Sequence, residues 1–435
     1  MLTLPSFLAH SFLFIFINIL PSFTQGIVPP SQTFNFVNEG SFGDYIVEYN
    51  ANYRVLSIAN SPFQMCFYNT TPSAYTLALR MGTVRSESLM YWVWEANRGN
   101  PVGENATFSL GASGNLLLAD AGGRIAWQSN TANKDVVGFK LLPNGNMVLY
   151  NSKGNFVWQS FDSPTDTLLM GQSLKLKGPN KLVGRLSETE NKNGPYSLVL
   201  EPKRFAMYYT SKNSPNKPML YYSLTVFPSS GNQVLDNMTL EVEPDFGDVA
   251  FEIRLAYSGG GAGVLFRPKY NATLTYLRLG VDGGLTAHTF YDKVFYNAWE
   301  MTYTLFGRTS VLACQLPMRC GGFGLCEDNQ CVGCPSPNGV LGWSKSCAPP
   351  KITSCKSSDV KYYKLEGVDH FLIHYTRGSG PVKEEDCSRK CTLDCKCAGF
   401  FFNRAESRCW VVNELGTLER VANSSHVGYI KTSLH

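Results

Sequence analysis

The chain has 435 residues, a formal net charge of +4 and only 17% charged residues. It contains no basic run, which excludes nucleic acid as a partner class, and no strongly charged partner is implied. The length predicts roughly two to four domains, and a 44% hydrophobic content is ordinary for packed globular ones.

Residues 1–24 read as a secretory signal peptide. Phe12 to Leu20 is a short apolar core, and Ser22 and Thr24 are small residues suited to cleavage near Gln25. The segment before the core has no Lys or Arg, so a signal anchor is the alternative. Against that, the run is much shorter than the roughly 20 apolar residues of a membrane span, and Pro5 and Pro21 flank it. No later stretch is long enough to span a membrane, and the C-terminal segment HVGYIKTSLH lacks the hydrophobic tail of a lipid anchor. Glycosylation sequons stand at Asn69, Asn105, Asn237, Asn271 and Asn423. Of the 13 cysteines, only Cys66 lies outside the segment from Cys314 to Cys409. An even cluster in an exported chain predicts a disulfide framework. Cys66, in the apolar run Met65-Cys66-Phe67, is expected to be a buried free thiol.

From Gly26 to Gln172 the pattern is strand and turn, with strands expected at Tyr45–Tyr49 and Thr76–Leu79. One unit then occurs twice. GNLLLADAGGRIAWQS, from Gly114, returns as GNMVLYNSKGNFVWQS, from Gly145, at an offset of 31 residues without a gap. Each copy is a Gly-Asn turn, an apolar strand, a second Gly turn and a strand ending in Trp-Gln-Ser. Such a hairpin cannot bury its apolar face alone, so the copies must share a core, and Trp127 and Trp158 are its natural filling.

The stretch VWEANRGNPV, from Val93, the two repeats, and WQSFDSPTDTLLMGQSL, from Trp158, together resemble the bulb-type lectin domain of plant S-locus glycoproteins and lectin receptor kinases. That resemblance implies a three-fold β-prism with Trp residues at its centre. It also implies a mannose strand of pattern Gln-x-Asp-x-Asn-x-Val-x-Tyr, whose period of two sets the side chains on one face. The best match is Leu142-x-Asn144-x-Asn146-x-Val148-x-Tyr150. Asn144, Asn146, Val148 and Tyr150 are therefore the candidate carbohydrate-binding residues of a degenerate site. Leu142 cannot hydrogen-bond, and Asn144 lacks the charge of the Asp it replaces. The earlier copy, from Gly111 to Ala119, keeps only Asn115. Asp162 and Asp166 flank a Ser-Pro-Thr turn and are expected to accept from nearby backbone N–H groups, not to form a catalytic pair. Arg98, beside Asn97 and Asn100, is expected to be a structural hydrogen-bonding residue.

Strands are expected again at Tyr196–Leu200, Met207–Tyr209 and Met219–Leu224, with a loop over Ser211–Pro218 and a hairpin around Asp282-Gly283. This region more weakly resembles a second bulb-lectin-like domain. The run Gly259-Gly260-Gly261-Ala262-Gly263 lacks the Lys-Ser/Thr and the strand-to-helix setting of a phosphate cradle and reads as a turn. Cys314, Cys320, Cys326, Cys331, Cys334 and Cys347 surround a Gly-Gly-Phe-Gly stretch. Only Cys331 and Cys334 have zinc-knuckle spacing, so disulfides are favoured over zinc. The pattern resembles an EGF-like module whose pairing is left open.

The remaining cysteines are Cys355, Cys387, Cys391, Cys395, Cys397 and Cys409. Glu384 to Cys391 suits a short helix that places Cys387 and Cys391 one turn apart. The segment is similar to a PAN/apple module, and that resemblance implies Cys387–Cys409 and Cys391–Cys397. His370 and His374 bracket a strand-like Phe-Leu-Ile run without the Glu of a zinc helix and are expected at the surface.

The fold expected is mainly β: signal peptide 1–24, bulb-lectin β-prism domain 25–173, second lectin-like β domain 174–306, EGF-like module 307–350 and PAN/apple domain 351–435. The stretches Asn38–Arg54 and Phe63–Gly82 resemble the epidermis-specific secreted glycoproteins of plants, a similarity that covers nearly the whole mature chain. It implies an apoplastic or cell-wall glycoprotein without the membrane span and kinase of the receptor relatives. No catalytic constellation and no cofactor or metal site is expected. A binding protein for a cell-wall glycan or an extracellular protein is the first reading, and a secreted enzyme inhibitor is the second. Neither oligomeric state nor ligand follows from the residues.

Overall fold

The computed structural model describes residues 27–82, 90–225, 233–242, 251–267, 274–291, 298–354 and 356–434. The expected signal peptide, the sequon at Asn271 and Cys355 lie outside them. Three antiparallel sheets build the first unit. One runs through Asn52–Asn60, Phe63–Asn69, Thr76–Met81 and Tyr91–Glu95 in chain order. The second joins Phe34–Val37, Thr107–Leu110, Leu116–Ala119 and Ile125–Gln128. The third joins Val136–Leu141, Met147–Asn151 and Phe156–Gln159. The repeats are the hairpins of the second and third sheets.

Each sheet sends one Trp to the common axis. Trp94, Trp127 and Trp158 meet edge to face, with ring centroids 5.7–6.4 Å apart. Edge-to-face geometry lets each ring's positive rim meet the next ring's negative face. The Gly that opens each repeat is required by space as well as by conformation. At Gly145, with φ +85°, an added Cβ would lie 2.7 Å from the Phe63 ring.

Three further sheets build a second unit of the same plan. They comprise Lys181–Arg185 with Asn193–Glu201, Arg204–Tyr209 and Met219–Thr225; Ser173–Lys175 with Leu235–Val242, Phe251–Tyr257 and Ala262–Phe266; and Thr167–Leu168 with Leu274–Leu279, Leu285–Tyr291 and Ala298–Thr304. Leu182, Leu198, Met207, Leu240 and Leu277 fill its core. The strand Thr167–Leu168 thus joins the second unit ahead of the expected boundary at residue 174, and Ser173–Lys175 straddles that boundary. Tyr276 in turn packs into the core of the first unit. The two prisms are joined by exchanged packing as well as by chain.

Tyr45–Tyr49 is not a strand, contrary to the expectation from its alternation. Val47 makes a single bridge to Met90, and Glu48–Asn50 is one 3-10 turn with Tyr49 at φ 64°. The turn aims Glu48 inward to an arginine more than two hundred residues away, which local pattern cannot reveal. The glycine run is a turn, with Gly259, Gly260 and Gly261 all at positive φ before the strand Ala262–Phe266.

The C-terminal part begins as a small meander, Phe323–Glu327, Gln330–Ser336 and Gly339–Leu341. It is held by Cys314–Cys326, Cys320–Cys331 and Cys334–Cys347. Cys331 and Cys334 therefore sit in different disulfides. Phe323–Glu327 also runs parallel to Gly416–Arg420, which pairs on its other side with Val368–His370. A second sheet, in the order Val360–Glu366, His426–Ser433, Gly399–Asn403 and Arg408–Val412, carries the helix Glu384–Leu393. Glu384, Glu385 and Asp386 open that helix and Lys390 closes it, each matched in sign to the helix dipole. Its buried Cys387 and Cys391 bond Cys409 and Cys397. Cys395 is disulfide-bonded as well, and Cys66 is a buried free thiol whose pKa burial pushes up to about 12.

One of the two histidines departs from expectation: His374 is exposed, as expected, but His370 is not. His370 is completely buried, and Phe371–His374 is a 3-10 turn, not a strand. His370 donates from Nε2 to the Glu414 carbonyl and accepts the Leu372 N–H at Nδ1. His374 Nε2 lies 2.8 Å from Glu419 Oε2, within hydrogen-bond distance.

Candidate functional site

The candidate strand begins at the turn Leu142-Pro143-Asn144-Gly145, closed by the Gly145 N–H to the Leu142 carbonyl at 3.0 Å. Of the five pattern positions, Leu142 and Asn144 therefore lie in the turn, Asn146 just before the strand Met147–Asn151, and Val148 and Tyr150 on it. Asn144 folds back. Its Oδ1 accepts the Asn146 N–H at 3.2 Å and its Nδ2 donates to the Met170 carbonyl at 3.4 Å. Asn146 is 5% exposed. Its Nδ2 donates to Gln159 Oε1 at 2.9 Å, and its Oδ1 accepts from Ser160 Oγ–H and from the Phe161 N–H at 3.3 Å. The first repeat makes the same lock: Asn115 Nδ2 to Gln128 Oε1 at 2.9 Å, with Asn115 Oδ1 accepting from Ser129 Oγ–H and the Thr131 N–H. Asn, Gln and Ser recur at the offset of 31 residues because together they clamp the hairpin.

Val148 is fully buried. Tyr150 is half-buried against Gly138, where a Cβ would lie 2.5 Å from its hydroxyl. Lys140 Nζ stands 4.7 Å from the Tyr150 ring centroid, a cation–π contact. Strand register sets Lys140 opposite Val148 and Gly138 opposite Tyr150. The open face of this strand is thus Tyr150, Lys140 and Gln159. Lys140 was missed by the sequence reading because it lies on the neighbouring strand, outside the motif.

The two signature segments have a different task. Arg98 pairs with Glu95, with Asp166 Oδ2 at 2.8 Å, and donates to the Val183 carbonyl at 2.9 Å. Arg278 pairs with Glu48, lies 3.9 Å from Asp166 Oδ1 and donates to Thr167 Oγ1. Arg185, also buried, donates to the Tyr68 hydroxyl at 2.6 Å and to Thr70, and lies 3.5 Å from Glu95. Tyr68 donates to the same Glu95. Arg98 is structural, as its neighbours imply. Asp166 is not a backbone-accepting turn residue: its carboxylate is the hinge of an ionic network between the prisms. Burial alone would raise its pKa, but Arg98 and Arg278 outweigh that and hold it below the usual Asp range. Glu48 goes the other way, pushed up to about 7 by burial that Arg278 only partly offsets. Asp162, exposed, accepts from Gln159 Nε2 at 3.0 Å and meets Lys175 Nζ at 3.5 Å.

Of the sequons, Asn105 and Asn423 stand exposed and Asn237 is half-buried. Asn69 is 4% exposed and accepts from Asn52. Among the described residues, no group of three or more His, Cys, Asp or Glu side chains could hold a metal ion, and no helix is long and apolar enough to cross a membrane.

Two stacked β-prisms, with repeat hairpins around a Trp axis and a disulfide-rich C-terminal part, define a lectin-fold protein of the bulb type. The pattern of the D-mannose binding lectin family matches residues 91–187. EP1-like glycoprotein 2 of Arabidopsis thaliana is 48% identical over 93% of this chain and 95% of its own length. The epidermis-specific secreted glycoprotein EP1 of Daucus carota is 56% identical over 79% of this chain and 94% of its own. A PAN domain-containing protein of Arabidopsis thaliana is 23% identical over 87% of this chain and 73% of its own. The chain belongs to the EP1-like glycoprotein family.

Proposed function

We propose that this chain is an extracellular, cell-wall-facing glycoprotein that acts as a binding module and whose inherited mannose strand is inactive. The observation that carries the reading is the engagement of Asn146. Its carbonyl oxygen already accepts two hydrogen bonds and one of its two N–H donors is taken by Gln159, so little remains for a sugar hydroxyl. Asn144 is turned toward the backbone, and Leu142 offers no polar atom. A buried sugar hydroxyl without a partner costs about 1–3 kcal/mol, more than a shallow monosaccharide site can absorb twice over. Lys140 adds a cation to a face that would have to receive a neutral sugar. Secretion is supported by the carrot relative, whose name records it. Asn105 and Asn423 are the sequons best placed to carry glycans.

Calorimetry of the purified chain with mannose and oligomannose tests this. No heat of binding is expected up to millimolar sugar. Millimolar or tighter affinity, abolished by Tyr150→Phe, would restore the strand as a working sugar site.

A further inference from the structure

A cleft of about 590 Å³ opens between the second prism and the PAN-like sheet. One wall is the end of the strand Met219–Thr225, where register sets Thr225 opposite Arg204 and Ser223 opposite Ala206, all on one face. The facing wall is a row across three neighbouring strands, since Asn403 pairs with Arg408 on one side and with His426 on the other. The loop after the 3-10 turn, carrying Arg377, closes one end.

Charge in this cleft is unbalanced. Arg204 is paired with Glu201, His426 with Asp369 and His374 with Glu419. Half-buried Arg408 and exposed Arg377 have no ion pair or side-chain hydrogen bond among the described residues. The carboxylate in the lining is Glu406, on the exposed turn before Arg408. Ser223 Oγ, a polar atom shut off from solvent on the opposite wall, has no hydrogen-bond partner. A buried hydroxyl left so calls for a reason, and a ligand acceptor or donor is one. Two unpaired guanidiniums across from orphaned and free hydroxyls select an anion that also carries hydroxyls. Guanidinium forks match planar carboxylates, and their weak hydration lowers the cost of stripping water from them. The volume is that of a small-ligand site. Ile373 is the single aliphatic side chain among the lining residues, and the rings of Tyr375 and Trp410 line the cleft beside it.

The geometry points to a binding site for a carboxylated oligosaccharide, a short hexuronate chain, in the cleft between the second prism and the PAN-like sheet. Arg408 and Arg377 hold its carboxylates, and Ser223 and Thr225 meet its hydroxyls. This site is separate from the strand Met147–Asn151 and stands whether or not that strand binds mannose.

The test uses the full secreted chain and calorimetry with three probes: a hexuronic-acid tetramer, its fully methyl-esterified form, and a tetraglutamate peptide. The free acid is expected to bind, with affinity falling as salt rises, and the ester to bind at least tenfold more weakly. Arg408→Gln and Arg377→Gln are each expected to lose at least tenfold for the acid, while Glu406→Gln binds it as well or better. Arg377 is exposed, so its variant reports on binding even if Arg408→Gln folds poorly. Ser223→Ala removes one hydroxyl contact and is expected to weaken the acid several-fold without lowering the melting temperature. Acid and ester binding alike, no binding of the acid, affinity unmoved by either Arg variant, or tetraglutamate binding as tightly as the tetramer would each overturn the assignment.

Discussion

His370 is an imidazole that its surroundings require to be neutral. One nitrogen donates to the Glu414 carbonyl and the other accepts the Leu372 N–H, so a second ring proton would face a donor. Burial lowers its pKa to about 3 from an ordinary 6.5. The unfolded chain therefore takes up this proton first as pH falls. The contribution of the neutral ring to stability is complete above pH 6.5 and is lost toward pH 3, at about 1.4 kcal/mol per pH unit. Glu48 acts in the opposite sense: its raised pKa weakens the fold as pH climbs from 4.5 to about 7. His288, lowered to about 4 by burial, works with His370. Melting curves between pH 3 and 4.5 lie below the range of Glu48, and since Asp166 also loses its contribution there, the share of the imidazole is the difference between the parent chain and a His370 variant. His370→Gln, which can keep one donor and one acceptor, is expected to flatten that acid limb. A limb as steep as in the parent chain would mean that the buried ring is not its source. The sequence placed both histidines near one another but not His370 beneath a turn, since a strand-like apolar run does not say which of its neighbours is tucked inside.

At the scale of elements, the two hairpin locks make a matched pair of experiments. Asn115→Ala and Asn146→Ala each remove a carboxamide that ties the opening turn to the closing Gln-Ser. Each also leaves a backbone N–H, that of Thr131 or Phe161, without its acceptor. A loss of about 1–3 kcal/mol is expected for each, read from the urea midpoint at unchanged slope. If Asn146→Ala proved neutral while Asn115→Ala did not, Asn146 would be free for another role. These hairpins were legible in the residues because their chemistry is local: positive-φ Gly, a clamping Asn and a Trp every repeat. The 3-10 turn at Glu48–Asn50 was not, because Arg278 decides it. The half-open face around Tyr150 was legible only in part, since half of it comes from the adjacent strand.

Across the whole molecule, the buried arginines fasten one prism to the other. Asp166 meets Arg98 from the first unit and Arg278 from the second. Asp166→Asn keeps the shape and removes the charge, leaving two desolvated guanidiniums short of a partner. A loss of about 3–5 kcal/mol is expected, with the calorimetric transition broadening or dividing relative to the parent chain as the prisms uncouple. An unchanged melting profile would show that apolar packing, through residues such as Tyr276, does the coupling without the ions. Lectin-like repeats and cysteine modules were visible as separate patterns, but the seams were not: exchanged strands and long-range ion pairs leave no periodicity in a chain.

The parallel pairing of Phe323–Glu327 with Gly416–Arg420 bears on how such a chain is made. A ribosome delivers the first of these strands well before the second. Until Gly416 emerges, the three disulfides from Cys314 to Cys347 can close, yet the strand they hold still offers bare amides and carbonyls along one side. The Cys320 N–H waits for the Thr417 hydroxyl, and the Gly322 carbonyl for the Gly416 N–H. Any nascent chain stalled or clipped in that interval would display an open template for pairing with its neighbours. The emergence of Gly416–Arg420 is therefore also the step that seals this edge against other copies of the chain.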